Sequence, residues 1–253
     1  NMVRIIMSGC NGYMGRTVTE IVAADEDAQI VAGIDLEDKG DKPYPVFTDI
    51  ADCDVQADVV IDFSSPKALD GLIGYCTEKG VAAIFCTTGY TDEQIAKIKE
   101  ASAKTAVMKS ANMSLGINML LKLLKDAAKL LAPAGFDMEI VEKHHNLKVD
   151  APSGTALALA DSLNEALEDK YDYTYDRSKE RRKREKYEIG ISAVRGGNIV
   201  GEHEVIFAGL DEVIEFKHTA YSKGVFAKGA VQAAKYMAGK PAGFYDMGDV
   251  VCG

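Results

Sequence analysis

The chain has 253 residues, enough for one ordinary α/β domain and a smaller second one, and Val3-Arg4-Ile5-Ile6-Met7 enters a strand with no basic segment, long apolar run or cleavage site. A formal charge of −10 argues against a nucleic-acid partner, since phosphate binding needs a basic face and the basic run at residues 179–186 is interleaved with glutamates. Five cysteines, an odd number with no Cys-x-x-Cys, argue for a reducing compartment without disulfides or a zinc site, so the expectation is a cytoplasmic protein with no metal and no membrane span.

From the amino terminus, Val3 to Ser8 is a short apolar run, and residues 16–24 have helical periodicity. Between them lie Gly9, Cys10, Asn11, Gly12, Tyr13, Met14 and Gly15, so the pattern is strand, glycine loop, helix. The glycines permit a tight turn and a close approach of backbone to a pyrophosphate at the helix start. A second strand, 29–34, ends at Asp35, about twenty residues past the loop, where an acid that binds a ribose diol belongs. Asp35 would repel a 2′-phosphate and Leu36 follows it in place of an arginine, which favours NADH; Arg16 and Lys39 keep NADPH open.

Strand and helix then alternate: 58–63, 81–86 and 105–108 read as strands, 66–79 and 92–102 as helices. Such alternation predicts a parallel, doubly wound sheet of Rossmann type, with ligands at the carboxyl ends of its strands. The loops there carry Ser64-Ser65-Pro66, Thr87-Thr88-Gly89 and Ser110-Ala111-Asn112. Thr87, Thr88 and Asn112 are candidates for contact with a nicotinamide, with ordinary capping as the alternative. Cys10 and Cys86 read as small residues and not as nucleophiles, since neither has a histidine nearby in sequence.

An amphipathic helix over 114–131 opens the second half. Residues 139–148 read as a strand, whose period of two places His144, Asn146 and Lys148 on one face and turns His145 to the other. Asp150 followed by Pro152 reads as an N-cap, with a helix from near Ser153 to 167. The amides of Ser153, Gly154 and Thr155 would then face outward as a site for a carboxylate or phosphate, with His144 and Lys148 as the catalytic pair. The alternative is a solvated strand end. Strands at 189–194, 198–208 and 212–218, with turns at 196–197 and 209–211, complete a mostly antiparallel, four-stranded sheet in a smaller α+β domain that invites self-association. His203 and His218 read as structural. A helix at 225–238 returns to the first domain, giving boundaries of 1–113 plus 220–253 and 114–219, with a hinge at the two crossings.

The combination resembles the 4-hydroxy-tetrahydrodipicolinate reductase, or dihydrodipicolinate reductase, family. The resemblance rests on Gly9-x-x-Gly12-x-Met14-Gly15, Thr87-Thr88-Gly89, Ala111-Asn112, the run from Glu142 through His144-His145-x-x-Lys148-x-Asp150-Ala151-Pro152-Ser153-Gly154-Thr155-Ala156, Val200-Gly201-Glu202-His203, and Asp246-Met247-x-Asp249-Val250. It implies NAD(P)H-dependent reduction of a cyclic dicarboxylate to tetrahydrodipicolinate in diaminopimelate and lysine biosynthesis, in a homotetramer whose substrate-domain sheets pack together. Residue by residue, it implies His144 as proton donor, Lys148 as second catalytic residue, and His145, Gly154 and Thr155 at the substrate. It also implies residues 9–15, Asp35, Cys86, Thr87, Thr88, Ser110, Ala111, Asn112 and Met113 at the dinucleotide. Basic residues are frequent in the family where Tyr13 and Leu36 stand here.

Overall fold

Ile5, Ile6 and Met7 are all fully buried, the mark of a strand covered on both faces. In the computed structural model, which describes residues 2–253, this strand is β1 (Val3–Ser8). It is followed by α1 (Tyr13–Ala23), β2 (Ala28–Ile34), β3 (Val46–Phe47), β4 (Val59–Asp62), α2 (Leu69–Lys79), β5 (Ala82–Phe85), α3 (Asp92–Ala101) and β6 (Ala106–Met108). These elements belong to a unit that ends at Leu115 and resumes at Gly224; the second unit is Gly116–Lys223.

The second unit is built from α4 (Leu115–Leu131), β7 (Asp137–His144), α5 (Gly154–Ala166), β8 (Asp172–Thr174), β9 (Glu188–Arg195), β10 (Gly201–Ala208) and β11 (Val213–Ala220). Its sheet has five strands, not four, in the order β11-β10-β7-β9-β8. It is also mixed: β7, β9 and β8 run parallel, while β10 is antiparallel to β7 and β11. The expected turn at Gly196-Gly197 does not join neighbouring antiparallel strands, because β9 and β10 lie on opposite sides of β7 and the glycine segment crosses the end of β7 between them. A glycine pair after a strand marks a turn but not the strand it turns toward. The three-residue β8 has too few residues to show alternation. One face of the sheet is covered by α4 and α5, through Leu120, Leu124, Leu159 and Leu163 against Met138, Ile140, Val205 and Phe207.

After Lys223 the chain re-enters the first unit as α6 (Gly224–Met237), β12 (Gly243–Tyr245) and α7 (Met247–Cys252). The first sheet is then seven-stranded and wholly parallel, in the order β12-β6-β5-β4-β1-β2-β3. Alternate residues of its strands feed two cores. Ile5, Met7 and Ile61 pack with Val18 and Val22 of α1 and Ala230 and Val231 of α6; Ile6, Val60 and Phe85 pack with Leu69 and Leu72 of α2 and Ile98 of α3. The strand order reverses between β1 and β4, which sets a crevice at their carboxyl ends.

Candidate active site

The predicted residues fall into two groups, one in each unit. In the first, β1 passes into α1 through the glycine loop. Gly9 has φ +83° and a Cβ there would lie 2.4 Å from the Phe63 carbonyl oxygen; a Cβ on Gly15 would lie 2.1 Å from the Gly9 oxygen. Both positions require glycine for the loop itself. Gly12 does not: its φ is −72° and a Cβ would meet only the Gly9 oxygen, at 3.5 Å. The missing Cβ leaves open the approach to the start of α1, where Gly12 caps the helix with no side-chain hydrogen bond and the first turn holds no acid. Such a start presents amides and a positive dipole end suited to a phosphate.

Asp35 closes the other side of the loop. Its Oδ2 accepts from the Asn11 amide and its Oδ1 from the Leu36 amide, both at 2.8 Å, and each oxygen retains acceptor capacity for a ribose hydroxyl. Asn11 Nδ2 donates to the Glu37 carbonyl at 2.9 Å, and Tyr13 and Leu36 are exposed. These residues fit a dinucleotide, which they would hold at its pyrophosphate and adenosine ribose. Burial, with Asp35 adding to it, pushes the Cys10 thiol up to about 11, and burial likewise raises Cys86, so neither is a thiolate at neutral pH.

Several loop side chains are engaged locally, as capping would have it. Thr87 Oγ1 donates to Asp62 at 2.7 Å, Ser110 Oγ accepts from the Met247 amide at 2.6 Å, and Asn112 Oδ1 accepts from the Ser114 amide at 2.8 Å. Met113 is buried in the core, while Thr88 and Ala111 are exposed. Met14 is half-buried and packs against the same core.

In the second unit, Glu142 and His144 are two apart on β7 and project to the same face. Glu142 has no exposed surface and takes four hydrogen bonds. His144 Nδ1 lies 2.6 Å from Oε2, the Arg195 guanidinium binds both oxygens at 2.7 and 2.8 Å, and the Ser153 amide donates to Oε1 at 3.0 Å. Burial alone would push the Glu142 carboxyl up; the bonds from Arg195, His144 and Ser153 outweigh it and hold the carboxyl below its ordinary range. An ionised carboxylate only accepts, so the His144 proton at this contact sits on Nδ1 and Nε2 is left for other chemistry. Gly201 keeps room there, since a Cβ on it would lie 3.2 Å from Nε2.

Arg195 is the register partner of His144 on β9, and its second amino group also donates to the Asp150 carbonyl at 2.7 Å. The crossing segment pins the same strand end: the Gly196 amide donates to the His144 carbonyl at 2.9 Å and the Asn146 amide to the Gly197 carbonyl at 3.1 Å. The strand therefore stops at His144, not at Lys148. Residues 145–148 turn, with the Lys148 amide on the His145 carbonyl at 3.3 Å, so strand parity does not pair His144 with Lys148. Lys148 Nζ stands 2.8 Å from Asp150 Oδ1, a bond that lowers the Asp150 carboxyl. His145 is half-buried in the turn, and Leu147 and Val149 are exposed.

The helix cap is Ser153 and not Asp150. Ser153 Oγ accepts from the Ala156 amide at 3.1 Å and is hydrogen-bonded to His203 Nε2 at 2.9 Å. With its amide on Glu142 as well, Ser153 cannot offer the anion-binding N–H expected of it; Gly154, exposed, and Thr155, half-buried, begin the helix beyond it. His203 is buried, and burial, followed by the neighbouring His144, pushes its pKa down to about 4; the two rings meet edge-on with centroids 5.1 Å apart. Glu142, Arg195 and His203 received no site role from the sequence. The spacing of Glu142 to His144 was a usable signal. Arg195 had none, since its partner lies 53 positions away.

Among the described residues no group of three or more His, Cys, Asp or Glu is placed to hold a metal ion, and no helix is long and apolar enough to cross a membrane. A doubly wound parallel sheet with a glycine-loop helix start, joined to a mixed-sheet unit bearing a carboxylate-held imidazole, defines a two-unit dehydrogenase of Rossmann type. Residues 3–113 match the family described as dihydrodipicolinate reductase, N-terminus, and residues 116–251 its C-terminus, so the chain belongs to the dihydrodipicolinate reductase family. It is 52% identical to a 4-hydroxy-tetrahydrodipicolinate reductase of Clostridium tetani over 97% of this chain and 96% of that protein. A protein of the same name from Clostridium novyi is 51% identical over 99% and 98%. Among solved structures, a dipicolinate-bound dihydrodipicolinate reductase from Paenisporosarcina sp. TG-14 shares the fold, with TM-score 0.80 at 24% identity, over 97% of this chain and 98% of that one.

The depressed pKa of His203 has a sign. The unfolded chain binds a proton near pH 6.5 that the native state resists until about pH 4, so stability is full above 6.5 and is lost as pH falls through that window, by roughly 3 kcal/mol at most. The urea midpoint should therefore fall between pH 7 and pH 4.5, and His203→Gln should fall less steeply. Parallel slopes for the two proteins would refute this.

Proposed function

We propose that the chain reduces 4-hydroxy-tetrahydrodipicolinate, by way of dihydrodipicolinate, to tetrahydrodipicolinate with NAD(P)H, in the route to diaminopimelate and lysine. The observation that carries this reading is the imidazole of His144, held at Nδ1 by a buried carboxylate beside the start of α5. Relatives about half identical in sequence bear the name of this reaction, and the Paenisporosarcina reductase holds dipicolinate, a flat ring with two carboxylates.

Residues 1–113 and 220–253 would bind the dinucleotide, and 114–219 the ring. Bound NAD(P)H supplies two electrons as hydride to an electron-poor ring carbon. His144, charged as imidazolium, gives its Nε2 proton to the neighbouring carbon, while Glu142 offsets the charge and fixes the ring plane. Lys148, His145, the Gly154 amide and Thr155 hold the two carboxylates, the lysine as an ammonium in an otherwise acidic chain. Ser153 contributes by position, through Glu142 and His203.

NADH is the preferred nucleotide. Asp35 would repel a 2′-phosphate, and the basic residues nearby have partners of their own: Arg16 Nε donates to the Asn11 carbonyl at 3.0 Å, Lys39 pairs with Glu37 at 3.6 Å and Lys42 with Asp41 at 2.6 Å. Assembly as a homotetramer is supported by the sheet face of the second unit that α4 and α5 leave uncovered, where Val141, Val194, Ile206 and Val213 alternate with charged residues. Free cysteines throughout support a cytoplasmic setting.

In a mixture of the upstream synthase, pyruvate and aspartate semialdehyde, the protein should consume NADH in step with condensation, and His144→Gln should lower the rate by ~10²–10⁴-fold. Absence of NADH consumption would refute the reading, and a near-normal His144→Gln would refute the role of that residue. The wild type should show the higher kcat/KM with NADH, and Leu36→Arg should shift the NADPH to NADH ratio of kcat/KM upward by about tenfold. An unchanged ratio would contradict the assignment of this corner to the adenosine ribose.

A further inference from the structure

Among the described residues of the first unit, Asp62 is the one fully buried carboxylate, with 1% of its surface exposed, and the reaction as described makes no use of it. It ends β4, and its register partner on β1 is Ser8, the residue before Gly9. It thus stands where the strand order reverses, at the carboxyl ends of the strands, the place at which sheets of this kind take their ligands.

Four donors converge on its two oxygens. The Ser64 amide and hydroxyl reach Oδ1 at 3.1 and 2.5 Å, and the Thr87 and Tyr90 hydroxyls reach Oδ2 at 2.7 and 3.0 Å. The Ser64 amide also bonds Thr87 Oγ1 at 3.0 Å. The four contacts fall two on each oxygen, and all four donors are neutral groups. Burying a carboxylate this way is costly, and an apolar side chain would fill the same space at the end of β4. The acid, with two oxygens that both accept, holds hydroxyls from two separate loops in a single arrangement, which an apolar side chain could not. Those loops follow β4 and β5, and the first lies against the glycine loop, with the Phe63 carbonyl over Gly9.

We propose that Asp62 is a positioning residue of the dinucleotide site: acting through Ser64 and Thr87, it sets the two strand-end loops that seat the nicotinamide half of the cofactor. The inference rests on the dinucleotide reading above and adds to it a residue that need not touch the ligand.

The test uses the full chain. Asp62→Asn keeps the shape but turns a donor toward the hydroxyls. After a thermal melt has shown that the variant is folded, its NADH dissociation constant is measured by fluorescence without the ring substrate. The expected result is NADH binding weakened by about tenfold or more, with KM for the ring within about twofold of wild type. Thr87→Val should weaken NADH binding in the same direction, Thr87→Ser should restore it, and Asp62→Asn with Thr87→Val together should be no weaker than the weaker single change. A folded Asp62→Asn that binds NADH like the wild type, or that loses NADH and ring equally, overturns the proposal. Should Asp62→Asn fail to fold, the Thr87 variants decide: a wild-type dissociation constant for Thr87→Val overturns it, and weakening rescued by serine supports it. Failure of the wild type to bind either nicotinamide dinucleotide would instead refute the functional reading, so the two failures are distinct.

Discussion

The Glu142 carboxylate is the point on which the second unit's chemistry turns. It takes bonds from the end of β7, the end of β9 and the entry of α5, and it does so with no exposed surface. A buried charge of this kind persists only when every lone pair is used, because stripping one partner from such a pair typically costs ~3–5 kcal/mol. The same constraint that makes the cluster expensive to disturb orients His144: with Nδ1 committed to the carboxylate, Nε2 is the nitrogen left to exchange a proton.

The neighbouring groups follow from that arrangement. Arg195 lies level with His144 on β9, which runs parallel beside β7, and β10 reaches the other side of β7 by the glycine crossing. The crossing in turn bonds the His144 carbonyl and ends the strand. Ser153, its amide on Glu142, caps α5 and shares a hydrogen bond with His203, which burial keeps neutral down to about pH 4. Stability and reactivity are thus linked through one set of hydrogen bonds.

The first unit was readable in the sequence because its information is local. Strands apolar on both faces alternate with amphipathic helices, and the glycine loop with Asp35 lies within one βαβ span. The second unit was less so. Its helices and longer strands were visible, but strand order depends on pairing between distant residues, and Gly196-Gly197 looks the same whether it makes a hairpin or a crossing. Extending β7 to Lys148 was reasonable from alternation alone; the turn that prevents it is set by Asn146 bonding to Gly197, some fifty positions on. Asp150 and Ser153 are both good caps by type, and the amide bond to Glu142 selects the second. Asp62 shows the same limit, since one aspartate at a strand end gives no sign of the three side chains that close over it.

The most direct test of this account removes the charge of Glu142 and keeps its shape. Glu142→Gln, shown to be folded by a thermal melt, should retain wild-type NADH binding and lose turnover by ~10²–10⁴-fold, since an amide no longer holds the imidazole with its reactive nitrogen outward and no longer offsets its positive charge. Turnover within about twofold of the wild type would contradict the account, because the imidazole would then be oriented by something other than the buried carboxylate.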